Sequence, residues 1–128
     1  MPVVSNSSPL IALAAIERLD LLPALFKSVV IPPAVAQEIT RADGEREAIA
    51  LAMELRADLV ILDDLPARRV AKAAGLNVIG AVGVLLGAKR VGLIDRLRPE
   101  LDNLLKHSFF LSPQLYDEVL HAAGELDR

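Results

Sequence analysis

The stretch Ala57-Asp58-Leu59-Val60-Ile61-Leu62-Asp63-Asp64-Leu65-Pro66-Ala67-Arg68-Arg69 decides how this chain folds. Leu59 to Leu62 is an apolar run of strand length, two carboxylates follow at once, and the residues beyond them have helical spacing. A continuous apolar run bounded in this way suits a strand buried on both faces of a parallel sheet. In open α/β sheets, ligands bind beyond the carboxyl ends of the strands, so Asp63 and Asp64 fall where a site belongs. The same residues have a plainer reading. An Asp directly after a strand caps the next helix, and Asp64 and Arg68 are spaced as an i,i+4 ion pair.

Working outward, the 128 residues are enough for one domain with a real core, and residues 1–128 read as one domain. A hydrophobic content of 53% argues against disorder. Aromatic residues make up only 3%, so the core is aliphatic, as suits parallel strands covered by Ala- and Leu-rich helices. The net charge of −3 leaves no global basic footprint for nucleic acid, and any such contact has to use a local patch. Without cysteine there are no disulfides and no thiolate metal site. Met1-Pro2-Val3-Val4-Ser5 lacks the pattern of a signal peptide. No apolar run reaches the ~18 residues of a membrane span. The expectation is a soluble, cytoplasmic protein with no membrane partner.

Pro2 to Ser5 reads as a first strand, and Ser8-Pro9 as a helix start with buried Leu10, Ile11, Leu13, Ala14 and Ile16. Leu19 to Phe26 reads as a short helix, and Ser28 to Ile31 as a second strand closed by Pro32-Pro33. A helical pattern follows from Pro33 to Ile39. Asp43 then caps a helix to about Arg56, buried through Ile49, Ala52, Met53 and the Leu55 side. Beyond the Leu59–Leu62 strand, a helix over Leu65 to Ala74 ends at Gly75. Asn77 to Ile79 is a fourth strand. Helices are expected over Val82 to Arg90 and Ile94 to Lys106. Phe109 to Leu111 suits an edge strand or a packed loop. Ser112-Pro113 opens a last helix facing inward through Leu115, Val119 and Leu120. Strands alternating with helices predict a three-layer α/β/α sandwich around a parallel sheet of about four to five strands.

Polar residues stand at the expected mouth of that sheet: Asn6 after the first strand, Asp63 and Asp64 after the third, Gly80 after the fourth. Glu38 lies one helix beyond the second strand, and Glu45 and Glu47 open the helix before the third. Carboxylates with one amide oxygen, and neither Cys nor paired His, make a hard-oxygen set suited to Mg²⁺ or Mn²⁺ rather than zinc. Each member also has a structural role open to it. Glu45 and Glu47 complement a helix dipole, Glu38 suits a solvent-facing position, and Asn6 suits a turn or cap. His107 and His121 are isolated and read as structural or surface residues. Arg68, Arg69 and Lys72 form a helical cluster, either a solvated face or a contact for phosphates.

These residues resemble a known family. Val4-Ser5-Asn6-Ser7-Ser8-Pro9-Leu10-Ile11 looks like the opening strand and helix of a PIN-like domain. Pro32-Pro33-Ala34-Val35-Ala36-Gln37-Glu38 is similar to its second motif, and Gly44-Glu45-Arg46-Glu47-Ala48-Ile49-Ala50-Leu51-Ala52 to its third. Leu59-Val60-Ile61-Leu62-Asp63-Asp64, with Arg68 beyond it, resembles the fourth. Phe110-Leu111-Ser112-Pro113-Gln114-Leu115-Tyr116 through Ala123-Gly124-Glu125 resembles a prokaryotic PIN-like subgroup. The resemblance implies an α/β/α sandwich and a Mg²⁺- or Mn²⁺-dependent ribonuclease acting on RNA, often the toxin paired with an antitoxin protein. By motif match it implies Glu38, Glu45, Asp63 and Asp64 as the acidic site, with Asn6 as a further metal ligand and Arg68 and Arg69 toward substrate phosphates. Two departures accompany it. Asn6 stands where such nucleases usually carry Asp, which predicts weaker metal binding. Only six residues separate Glu38 from Glu45, where relatives usually have a longer helical segment.

The leading expectation is a metal-dependent endoribonuclease of PIN-like type, and the alternative is a catalytically silent PIN-like binding or assembly module. Asn6, the short central segment and the scarcity of aromatics favour the alternative, because single-stranded RNA is often gripped by stacking on aromatics. A receiver-like fold is set aside, because it needs an acidic pair after the first strand and Asn6-Ser7 is not one. The Leu- and Val-rich final helices predict a homodimer.

Overall fold

Alternating apolar side chains on four short strands build the centre of the molecule, in a computed structural model that describes residues 3–26, 28–31, 49–107 and 109–126. The strands are β1 (Val3–Ser5), β2 (Val29–Val30), β3 (Leu59–Ile61) and β4 (Val78–Ile79). All pair in parallel, in the order β2-β1-β3-β4. Val3 lies beside Val29 and Leu59, Val4 beside Val30 and Val60, and Ile61 beside Ile79. Successive strand residues point to opposite faces, so this register sorts the side chains into two sets. Val3, Ile61, Val29, Leu59 and Ile79 join one core, and Val4, Val60, Leu62, Val30 and Val78 join the other.

Helices cover both faces, which makes the α/β/α sandwich expected from the sequence. On the first face lie α1 (Ser7–Ala15), α2 (Leu21–Leu25), α4 (Ala81–Arg90), α5 (Arg98–Lys106) and α6 (Pro113–Ala122), through Leu13, Leu21, Leu85, Leu104 and Leu120. The second face carries α3 (Leu65–Ala73) and the helical residues 49–55, through the small side chains Ala67, Ala71 and Ala52. The chain passes from β1 outward to β2, returns across to β3, and continues to β4. The direction of winding therefore reverses between β1 and β3, the place where open parallel sheets bind their ligands. Among the described residues, no helix is long and apolar enough to cross a membrane.

The chain ends α3 where the sequence indicates. Gly75 adopts φ +85°, and its N–H and that of Leu76 bond back to the carbonyls of Lys72 and Ala71. This is the paired closure that a left-handed residue permits.

Other expectations are corrected. The helix expected from Ile94 begins at Arg98. Pro99 lacks an N–H and its ring would strike the carbonyl four residues earlier, so it is tolerated only in a first turn. Of the two forms open to Phe109–Leu111, an edge strand or a packed loop, the chain takes the loop. Ile11 (61% exposed), Met53 (55%), Leu115 (43%), Leu55 (40%) and Ala14, expected in the core, lie at the surface. On α1 the buried positions are Pro9 and Leu13, four residues apart, and Ile11 falls between them on the other side. Glu38, Glu45 and Glu47 lie outside the described residues.

The last helix is tied down at both ends. The Tyr116 hydroxyl donates to Asp102 Oδ1 at 2.6 Å and accepts from Arg98 Nη1 at 3.3 Å. Beyond α6, the Glu125 carboxylate accepts from the backbone N–H groups of Leu97 (2.5 Å) and Arg98 (3.1 Å) and from Lys89 Nζ (3.0 Å). It thereby satisfies donors that α5 leaves open at its start. Burial alone would push this carboxyl up, but the two backbone N–H groups and the Lys89 charge together hold it below its ordinary 4.5. The ionised form is therefore the one the fold favours. Its contribution is complete above 4.5 and is lost as pH falls through the lowered native value. Glu125→Gln should cost about 1.5–3 kcal/mol at pH 7, the worth of a hydrogen bond to a charged group. The difference between variant and wild type should shrink in denaturant titrations as the pH falls below 4.5.

Candidate functional site

The site begins with the ends of β1 and β3. The Asn6 N–H donates to the Ile61 carbonyl at 3.0 Å, and the Leu62 N–H donates to Ile79 at 2.8 Å. These bonds carry the ladder one residue past the strands, so Asn6 lies alongside Leu62 and Asp63 comes next. Asn6 is fully buried, and among the described residues neither its Oδ1 nor its Nδ2 has a hydrogen-bond partner. Asn6 is the N-cap residue of α1, yet its side chain makes no capping bond. Asp63 Oδ1 accepts from the Ala81 N–H at 2.8 Å, at the start of α4, and its buried Oδ2 is also unpartnered. Buried polar atoms without partners are rare in native proteins and call for an explanation. Three gathered at one switch point make the strongest mark of a site in this fold.

The two adjacent aspartates have different tasks. Asp64 is the N-cap of α3, its Oδ2 accepting from the Ala67 N–H at 2.9 Å. The capping role weighed from sequence thus falls to Asp64, and Asp63 is the acid held by the start of α4 with one buried oxygen left unpartnered. Among the described residues Asp64 and Arg68 form no salt bridge, and the Arg68 charge acts on Asp63 instead. Burial pushes the Asp63 carboxyl up from its ordinary 3.8, while the Ala81 N–H and Arg68 pull it partly back.

Ala81, whose N–H holds Asp63, is the site residue that the sequence does not single out. A Cβ on Gly80 would collide with Asp63 Oδ1 and come within 3.4 Å of the Leu62 carbonyl. The bare backbone at Gly80 is thus what lets the start of α4 reach Asp63. The sequence placed Gly80 at a strand end, but only the β3–β4 register reveals its contact with Asp63.

A groove of ≈950 Å³ leads away from this point. Ser7, Ser8, Asp63, Asp64, Arg68 and Gly80 line its polar end, and it continues between α1, α4 and α6 to Phe109 and Phe110. Arg69 is exposed and lines none of it. Asn6 lies buried at the polar end of the sheet rather than on the groove wall. Among the described residues, no three His, Cys, Asp or Glu side chains gather as a metal cluster. Asn6 Oδ1, Asp63 Oδ2 and the Asp64 carboxylate still form a hard-oxygen set with two atoms lacking partners. That fits a divalent cation such as Mg²⁺, which keeps most of its ligands as water.

A PIN domain family model matches residues 2–43 and 40–125. The chain belongs to the PIN domain family. The parallel sheet, its order and the carboxylates beyond β3 belong to a PIN domain built almost along the full chain. The two matched stretches meet at 40–43, within the short span between Glu38 and Glu45. No curated protein and no solved structure matches this chain.

Two expectations follow for this PIN domain. Gly80→Ala should lower stability by about 1–3 kcal/mol, the cost of forcing a methyl group into filled space. Asp63 has a raised native value, so its effect on stability has the opposite sign to that of Glu125. Protonated, it costs little; ionised, it is buried at a loss, so stability falls as pH rises from 3.8 through the native value. Asp63→Asn should therefore raise the melting temperature at pH 7 in EDTA, and the gain should vanish below 3.8.

Proposed function

We propose that this PIN domain is a metal-dependent endoribonuclease that holds Mg²⁺ or Mn²⁺ through Asp63, Asp64 and Asn6, joined by Glu38 and Glu45. The observation that carries the reading is the buried, unpartnered Oδ2 of Asp63 beside the unpartnered amide of Asn6 at the switch point. An unpaired buried carboxylate oxygen is costly, and a cation is the partner that turns that cost into binding. When bound, the ion supplies the positive charge that acidifies an attacking water and offsets charge building on the phosphate.

The chain's own residues account for the remaining tasks. The Ala81 N–H fixes Asp63 by one oxygen and leaves the other free to ligate. Asp64, tethered to Ala67, cannot swing away from the mouth of the groove. Arg68 brings a fixed positive charge for a phosphate beside Asp63, and the Ser7 and Ser8 hydroxyls line the same end as donors. Asn6 Nδ2 is a buried donor suited to an enclosed water. No covalent intermediate is required. The reading extends to a cytoplasmic toxin restrained by an antitoxin protein and acting as a homodimer, supported by the family resemblance.

A second reading has its own support. Asn6 contributes no charge, and Asp64 commits one oxygen to its cap, so a silent module that binds without cleaving also fits this donor set.

Cleavage of a mixed RNA with Mn²⁺, Mg²⁺ or EDTA separates the two, with Asp63→Asn and Asn6→Asp run beside the wild type. The nuclease reading expects metal-dependent cleavage that Asp63→Asn abolishes. Added Mn²⁺ should also raise the melting temperature, since a ligand at 100 times its Kd stabilises by about 2.7 kcal/mol. Cleavage by Asn6→Asp alone would make the natural chain a scaffold disarmed at one ligand. Silence in every protein, with no melting response, would sink the nuclease reading.

A further inference from the structure

The chain has three Phe, one Tyr and no Trp. Phe26 and Phe109 pack against the main core. Tyr116 is held by Asp102, and its ring lies 5.8 Å from the Arg98 guanidinium. Phe110 alone is uncommitted: it is 87% exposed, the most exposed large apolar side chain among the described residues. It also lines the groove that Asp63 and Arg68 line.

We propose that Phe110 is a stacking platform for one base of a single-stranded RNA, placed so that the strand runs along the groove toward Asp63. The proposal rests on the nuclease-site reading above and adds to it a residue that contacts a base. Three features favour this occupant. First, aromatic faces grip any base by stacking, and an unpaired base is what single strands offer. Second, Arg68 is the only Lys or Arg among the described lining residues. A duplex is held through many phosphate contacts, which one arginine cannot supply. Third, the groove is apolar between its ends, where Ile11, Val82, Leu86 and Leu115 lie. A splayed base can bury against such a floor, whereas a paired one cannot leave its stack without cost. The polar end then meets the phosphate, with Arg68, Ser7 and Ser8 as donors.

Because the chain lacks tryptophan, Phe110→Trp introduces a single indole whose emission reports stacking directly. This variant is titrated, with Mg²⁺ and separately with EDTA, against three probes: a mixed single-stranded oligoribonucleotide, its duplex, and an abasic oligomer of equal length. The single strand should quench the indole, and the duplex and abasic probes should not. Phe110→Ala should bind the single strand about fivefold to a hundredfold more weakly than wild type, the range for one stacked base. Phe110→Trp should stay near wild type. Equal affinity in Phe110→Ala, or quenching by the abasic strand, would overturn the proposal. So would no binding by the wild type, or emission that changes only with protein concentration, which would mark a contact between copies of the chain. Cleavage is followed in parallel. Wild-type cleavage with an indifferent Phe110→Ala would refute stacking alone, and stacking without cleavage under any metal would refute the nuclease reading alone.

Discussion

Burial of β1 and β3 on both faces is the constraint on which the rest of the molecule depends. Val4, Val60, Ile61 and Leu62 are wholly removed from water. Their alternation supplies two cores from two strands of three residues each. Strands this short stay in place only if helices cover both sides. Covering both sides forces the winding to reverse between them. The reversal leaves a crevice at the strand ends, and the residues there, Asn6 and Asp63, inherit the dryness of the core behind them. The site is thus an outgrowth of the packing.

That dryness makes Asp63 expensive. Its carboxyl is raised by desolvation, and the Ala81 N–H and Arg68 offset only part of the cost. A fold selected for stability alone would place an apolar residue or an amide there. Strain of this kind tends to be kept where function requires it. Asp64 shows the contrast, one residue away. One of its oxygens caps a helix, an ordinary structural use. Adjacent identical side chains therefore differ in role because the chain turns between strand and helix.

Much of this was legible from sequence. The apolar run Leu59–Leu62, the Ser112-Pro113 start and Gly75 each carry a local signal with one dominant physical meaning. The sheet, its parallel pairing and its covering helices followed from them. The site was legible only as a set of strand-end positions. Which of Asp63 and Asp64 faces the crevice is fixed by a turn of backbone that no spacing rule encodes. Gly80 was visible as a turn, whereas its closeness to Asp63 depends on pairing between segments far apart in sequence. Ile11 and Leu115 were assigned to the core because apolar character predicts burial in general. Here those side chains line the wall of an open groove, a distinction set by tertiary arrangement. Glu38 and Glu45, in the second and third family motifs, lie outside the described residues.

The ties of Glu125 bear on how the protein is made. Its partners, Lys89, Leu97 and Arg98, precede it by 36, 28 and 27 residues. A chain synthesised from its N-terminus presents all four strands, ending at Ile79, well before this carboxylate exists. The sheet and its crevice can therefore assemble on the ribosome while one wall of the groove is still missing. That wall, α6, is secured only when residue 125 emerges. The acidic crevice thus precedes the channel that leads to it, and α6 closes the groove only after the sheet is in place.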